Sequence, residues 1–158
     1  MRNPQMVSDL APQIYQHLRD IEKHYMVEPD YLAKSQKEIK DTSRAFLIEW
    51  MADVHRKYKL KPETLYLSVN MCDRLMSKME ISKKQLHVIG MTAMMTTAKY
   101  EEIYPPTLKD LMECSENKFT RKDVLDMETK MLSVIDFDFM TPTPYRFLKR
   151  FKKMVPTF

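Results

Sequence analysis

Two ionisable side chains stand where the chain's own pattern asks for apolar ones. Glu128 has Val124 and Leu125 one turn before it and Met131 and Leu132 one turn after it. A carboxylate in such a stripe is costly unless it is paired or faces a partner, so it reads as an internal ion pair or as part of a partner surface. Lys99 closes a charge-free run, with Met95 one turn behind it. The plainest reading of Lys99 is an exposed pair with Glu102 three residues on, worth about 0.2–0.5 kcal/mol. The remaining candidates carry less. The four histidines, His17, His24, His55 and His87, form no metal-binding pattern; His17 and His24 lie seven apart with no third ligand nearby. Glu101 and Glu102 read as a solvated helix end rather than an acid–base pair. No nucleophile elbow or phosphate-loop lysine occurs. Cys72 and Cys114 are 42 positions apart, fit no metal or redox spacing, and read as reduced core thiols of an intracellular protein. No catalytic group, metal or cofactor is expected.

The elements that must position these groups are helices. One glycine in 158 residues leaves too few positive-φ positions for most β-rich folds, a dinucleotide fingerprint or a phosphate loop. The balance of 44% hydrophobic and 30% charged residues is that of a folded soluble domain. The net charge of +4 permits an acidic partner without requiring nucleic acid. The longest uncharged stretch, Gln85 to Ala98, has 14 residues, short of the ~20 needed to cross a bilayer. No membrane association is expected, and the first twenty residues lack the apolar core of a signal peptide.

Periodicity and capping residues predict six or seven helices. Ser8 or Asp9 caps a first helix to about Tyr25, striped by Leu10, Ile14, Leu18 and Ile21. Residues 26–40 are polar, contain Pro29, and read as a connector over the surface. A second helix starts near Thr42, with Phe46, Leu47, Trp50, Met51, Val54 and Tyr58 at three- and four-residue spacing. Pro62 opens a third, striped by Leu65, Val69, Cys72 and Met76. Ser82 and Gln85 form a capping box for a fourth, over about 83–100. Its residues Leu86, Val88, Ile89, Met91, Met94, Met95 and Ala98 leave no polar face of the usual width, so it belongs in the middle of a bundle. Gly90, Ala93 and Thr97 share a face where a neighbouring backbone comes close. Thr107 caps a short helix to about Glu113, and Thr120 with Asp123 opens another to about Ile135. Thr143 and Pro144 start the last, ending near Met154. Its cations Arg146, Lys149, Arg150, Lys152 and Lys153 read as an exposed face, with Phe147, Leu148 and Phe151 inward. Fifteen methionines suit a core with irregular gaps.

Several motifs along this layout resemble one family. Ser43-Arg44-Ala45-Phe46-Leu47-Ile48-Glu49-Trp50 resembles the opening of the cyclin box, with Ser43 for the usual Met and Glu49 for the usual Asp. Lys61-Pro62-Glu63-Thr64-Leu65-Tyr66-Leu67 is similar to its second-helix opening, and Asp73-Arg74-Leu75 stands where Asp-Arg-Phe is usual. Lys99-Tyr100-Glu101-Glu102-Ile103-Tyr104-Pro105-Pro106 looks like the mitotic A- and B-type cyclins. Met127-Glu128 and Pro142-Thr143-Pro144 continue the register.

The resemblance implies an all-α fold. Residues 1–40 are an N-terminal helix and connector, 41–138 a five-helix cyclin box, and 139–158 a basic helix starting a second cyclin fold that these residues lack. It implies a non-enzymatic subunit, nuclear or cytoplasmic, that binds and activates a cyclin-dependent serine/threonine protein kinase in cell-cycle control. Lys99, Tyr100, Glu102 and Glu128 are then kinase-binding residues, and Arg44 with Asp73 an internal ion pair. A substrate-docking patch for Arg-x-Leu segments of substrates or inhibitors falls on Ser43, Phe46, Leu47, Trp50, Asp53, Lys83 and His87; the plain alternative is that Leu47 and Trp50 face the core. The competing function is a cyclin-fold adaptor for transcription proteins or nucleic acid, which the basic last helix favours. No specific nucleic-acid site is expected there.

Overall fold

Residues 83–101 form a helix with almost no face left for water. In the computed structural model, which describes residues 9–116 and 118–154, the last two by backbone alone, twelve of its nineteen residues are buried. Among the described residues there are eight helices: α1 Ala11–Tyr25, α2 Tyr31–Ser35, α3 Asp41–Tyr58, α4 Pro62–Lys78, α5 Lys83–Glu101, α6 Leu108–Cys114, α7 Arg121–Ile135 and α8 Pro144–Met154. The fold is all-α, as expected. Helices α3, α4, α6 and α7 all contact α5, and Met91 and Met94 at its centre are fully enclosed. Each buried side chain of this size contributes about 1.5–3 kcal/mol. The Ser82/Gln85 capping box forms, as do reciprocal boxes at Thr107/Asp110 and Thr120/Asp123. No helix among the described residues is long and apolar enough to cross a membrane.

The one glycine sits where α3 crosses α5. A Cβ at Gly90 would stand 2.5 Å from Leu47 Cδ1 and 3.2 Å from Leu47 Cγ, so an ordinary side chain there must displace a buried leucine. On the same helix face, the Thr97 hydroxyl meets that of Ser68 on α4 at 2.5 Å, and each also lies within bonding distance of its own i−4 carbonyl. Small residues thus bring both neighbours in, and the two buried hydroxyls satisfy one another.

Besides Leu148 and Phe151 of α8, expected to face inward but exposed, three expectations need correction. The stretch 26–40 is not a surface connector. It contains α2, and Tyr31, Leu32, Gln36 and Ile39 are buried. Gln36 explains how a polar segment can be: its amide donates to the carbonyls of Met76 (2.5 Å) and Met79 (2.7 Å), and its carbonyl accepts from Ile81 N–H (2.9 Å). These main-chain groups lie at the end of α4 and in the turn beyond it, where helical partners run out. Second, α1 begins at Ala11 with Leu10 in the cap position; of the two expected caps, Ser8 lies outside the described residues. Third, only Cys72 is a core thiol, its pKa driven up by burial. Cys114 ends α6 half-buried, with Lys57 Nζ 3.3 Å from its Sγ.

Met94→Lys places an unpaired charge where no water or partner reaches it. Its cost takes most of the 5–15 kcal/mol that typically holds a domain together. Circular dichroism should find little cooperative melting in Met94→Lys and near-normal melting in Met94→Leu; a normal transition for the lysine variant contradicts this architecture.

Candidate partner-binding surface

Lys99 lies in the last turn of α5, where the helix leaves the core. Its Nζ donates to Glu128 Oε1 at 2.8 Å and Oε2 at 3.1 Å, and the Thr96 hydroxyl donates to the same Oε1 at 2.9 Å. The Lys99 side chain is 51% exposed and the Glu128 side chain 14%. Glu128 is therefore paired across α5 and α7, yet the pair opens to solvent on its lysine side. The expected Lys99–Glu102 pair does not form. Helix α5 stops at Glu101 and Glu102 is extended, so the one-turn spacing that brings i and i+3 together is lost. Glu102 accepts instead from Lys61 N–H (2.7 Å) and the Thr64 hydroxyl (2.5 Å), closing the start of α4.

Apolar side chains left in water flank the pair. Tyr100 stacks on Phe139 with ring centres 4.9 Å apart, and its hydroxyl donates to Met140 Sδ at 3.8 Å. Met140, Phe137, Ile103 and Tyr104 are exposed, and Leu125, one turn before Glu128 on α7, is partly so. Asp136 and Phe137 both take left-handed backbone conformations, φ 56° and 54°, which turn the chain off the end of α7. Arg74 holds that turn, donating to the carbonyls of Asp138 (2.8 Å) and Ile135 (3.3 Å), while the Tyr25 hydroxyl donates to Asp138 Oδ1 at 3.0 Å. The sequence reading did not single out Phe137, Phe139 or Met140, and it quoted Arg74 within a motif without giving it this role. Apolar residues continuing past the end of the α7 stripe, and an arginine beside the apolar stripe of α4, were the available signals.

Arg44 forks onto Asp73 with two bonds of 2.7 Å, joining α3 to α4. The Tyr31 hydroxyl of α2 donates to the same carboxylate at 2.6 Å. Burial first, and the Asp73 bond second, push the Tyr31 phenol well above its ordinary pKa, and Asp73 raises that of Arg44. Three helices are thus clipped by one carboxylate through charge-assisted bonds.

A groove of about 320 Å³ opens between α3 and α5, lined by Ser43, Phe46, Leu47, Lys83, Leu86 and His87. Trp50 lies half-buried beside it, its ring 4.3 Å from that of His87, with its Nε1 donating to Cys114 O at 3.4 Å. Burial and the charge of Lys118 lower the His87 pKa. Asp53 is exposed and paired with Arg56. Five of the seven expected patch residues line the groove; Trp50 braces it, Asp53 lies outside its walls, and Leu86 is the member that sequence reasoning missed.

The sequence and the fold have known counterparts. A family model described as the cyclin N-terminal domain matches residues 13–140. The chain is 44% identical over 140 residues to cyclin-B2-2 of Arabidopsis thaliana, covering 89% of this chain and 32% of that protein. It is 40% identical over 152 residues to the G2/mitotic-specific cyclin-B1 of Carassius auratus, covering 96% and 38%. A viral cyclin structure from herpesvirus saimiri superposes with a TM-score of 0.74 at 24% identity, over 88% of this chain and 62% of that one. The chain belongs to the cyclin N-terminal domain family. It spans about a third of the length of the curated relatives it matches.

Among the described residues, Arg44→Met leaves Asp73 with Tyr31 as its only side-chain partner. Because the pair is partly solvated, the expected loss is about 1–3 kcal/mol. Urea titration should give a lower midpoint with an unchanged slope; an unchanged midpoint means that the clip contributes nothing.

Proposed function

We propose that this chain binds and activates a cyclin-dependent serine/threonine protein kinase in cell-cycle control, contributing no catalytic group of its own. The observation that carries the reading is the half-open Lys99–Glu128 pair set among exposed Tyr100, Phe137 and Met140. Apolar side chains left in water beside a pre-positioned charge pair suit a partner surface, with the apolar groups supplying area and the charges supplying register. Family membership and the mitotic cyclins among the relatives support the kinase as that partner. Lys99 offers ammonium hydrogens to partner carbonyls, Glu128 accepts from partner N–H groups, and Tyr100 packs between them. Glu102 serves the surface by fixing the loop after α5.

Activation needs no chemistry from this chain. A subunit that grips the kinase C helix only in its inward position shifts the kinase toward the state in which the helix glutamate meets the ATP-orienting lysine. Moving such an equilibrium from 1:99 to 99:1 takes about 5.5 kcal/mol of differential binding. The activating box is assigned to α3 through α7, α2 braces it, and α8 opens the segment assigned to a second fold. The adaptor reading rests on the basic last helix, but two of its cations are engaged within the chain. Lys149 bonds Glu63 at 2.9 Å, and Arg150 lies over the Tyr15 ring at 4.4 Å. Fewer charges therefore remain for phosphates.

Truncating one partner of a desolvated charge contact costs roughly 2–5 kcal/mol, so Lys99→Ala and Glu128→Ala should each weaken kinase binding about 30-fold or more. Calorimetry on folded variants checks this, and unchanged affinity removes the surface from the proposal.

The groove between α3 and α5 is the proposed docking site for Arg-x-Leu segments, with Leu47 and Leu86 as its apolar floor. Ser43 leaves it shallower than a methionine would. Restoring about 1–2 kcal/mol of burial at ~0.8 kcal/mol per CH₂, Ser43→Met should tighten a labelled Arg-x-Leu peptide about 5- to 30-fold. Trp50→Ala, which removes the brace behind His87, should abolish binding. Equal affinity for all three proteins excludes docking here.

A further inference from the structure

We propose that Tyr104 is a phosphorylation site for a protein tyrosine kinase that selects acidic sequences, and that a phosphate there opposes partner binding at the adjacent surface. The second half rests on the proposed function; the first does not.

The case begins with the eight tyrosines. Tyr15 and Tyr25 lie in α1, Tyr31 in α2, Tyr58 in α3, Tyr66 in α4, Tyr100 in α5 and Tyr145 in α8. A kinase takes its acceptor from an extended segment threaded through the active site, so each of these requires a helix to unwind first. Several are also committed. The hydroxyls of Tyr25, Tyr31, Tyr58 and Tyr100 donate to Asp138, Asp73, the Asp110 carbonyl and Met140. Tyr66 stacks on Tyr145, and Tyr15 packs against Phe147. Tyr104 alone lies outside a helix, in the segment 102–107 between α5 and α6. It is 91% exposed, its neighbour Ile103 is 79% exposed, and its hydroxyl makes no hydrogen bond among the described residues.

The flanking residues supply the recognition. Pro105 disfavours the helical region for Tyr104, and Pro106 does the same for Pro105, so the chain, which bends at Ile103 and Tyr104, does not continue α5 and the acceptor needs no helix to unwind. Glu101, three residues before the acceptor, carries a carboxylate with no partner among the described residues, available to the Arg or Lys side chains of an acid-directed kinase. Ile103, immediately before the acceptor, presents an apolar side chain to the same groove. The step is a phosphoryl transfer from ATP. The Tyr104 oxygen bonds to the γ-phosphorus, the bond from that phosphorus to the β,γ-bridging oxygen breaks, ADP leaves, and the phenolic proton passes to the kinase's base.

The product carries about −1.5 to −2 charge at neutral pH. It stands five residues beyond Lys99, close in sequence to Glu101 and Glu102 and next to the exposed Ile103. Burying a dianion against the partner surface is unfavourable without a cation provided for it.

The test uses the chain, MgATP and the purified catalytic domain of an acid-directed tyrosine kinase, with sites mapped by mass spectrometry. Phosphate should enter Tyr104 first, Tyr104→Phe should lower incorporation about tenfold or more, and Glu101→Lys should slow it severalfold. Absence of labelling, equal labelling of helical tyrosines, or an undiminished rate in Tyr104→Phe overturns the site. The phosphorylated and unmodified chains are then titrated against the cyclin-dependent kinase. About tenfold weaker binding after phosphorylation is expected; equal binding overturns the regulatory half. If the unmodified chain fails to bind, the proposed function and the regulatory half fall together, while the labelling result stands independently.

Discussion

A helix without a polar face has to be enclosed, and the rest of this molecule follows from how α5 is enclosed. Its methionines fill the space between α3, α4, α6 and α7, and its small residues decide how near α3 and α4 can come. Because Gly90 has no side chain, Leu47 lies directly against the α5 backbone. That contact sets the floor of the groove on one side of the molecule. At the other end of the same helix, burial stops abruptly: Ala98 is enclosed, while Lys99 and Tyr100 are in solvent. The central helix thus emerges as a rigid post carrying a charge and an aromatic ring. Neither position can wander, because eleven consecutive buried residues, 88–98, hold the turns before them.

The Lys99–Glu128 pair is well suited to recognition and poorly suited to stability. A partly exposed ion pair contributes little to folding. Its value lies in pre-organisation: the Thr96 hydroxyl and the ammonium both fix the Glu128 carboxylate before a partner arrives, so less side-chain freedom is lost on binding. Arg44, Asp73 and Tyr31 do the opposite task. Their cluster is mostly buried, its members are mutually satisfied, and it ties the short α2 to the box.

Much of this was legible in the sequence because several signals agreed at the same positions. Single-glycine composition, the Ser82/Gln85 capping box, the caps at Thr107 and Thr120 and an all-round apolar run each point to helices, and the boundaries of α5 and α7 fall within a residue or so of where caps and spacing put them. The pairing of Glu128 was half legible. A carboxylate in an apolar stripe demands a partner, but only the crossing of α5 and α7 identifies it as Lys99. Two features were hidden for physical reasons. Residues 26–40 look polar because their few buried apolar residues, Tyr31, Leu32 and Ile39, show no helical stripe, and a buried glutamine adds anchoring through hydrogen bonds that composition does not reveal. The aromatic rim from Phe137 to Met140 lies past the end of a helix, where no periodicity exists to count.

Gln36 carries one more implication, for the order in which the chain assembles. Its three hydrogen bonds reach main-chain groups 40 to 45 positions away, and those groups converge only once α4 has ended and the chain has turned toward α5. Until α4 has ended and turned, Gln36 lacks its partners, and the segment can hold to α4 only through Tyr31 and Ser35. Closing so long a loop costs entropy before any contact repays it. Such spacing favours a brace that completes its bonds only after α4 and the turn beyond it are in place.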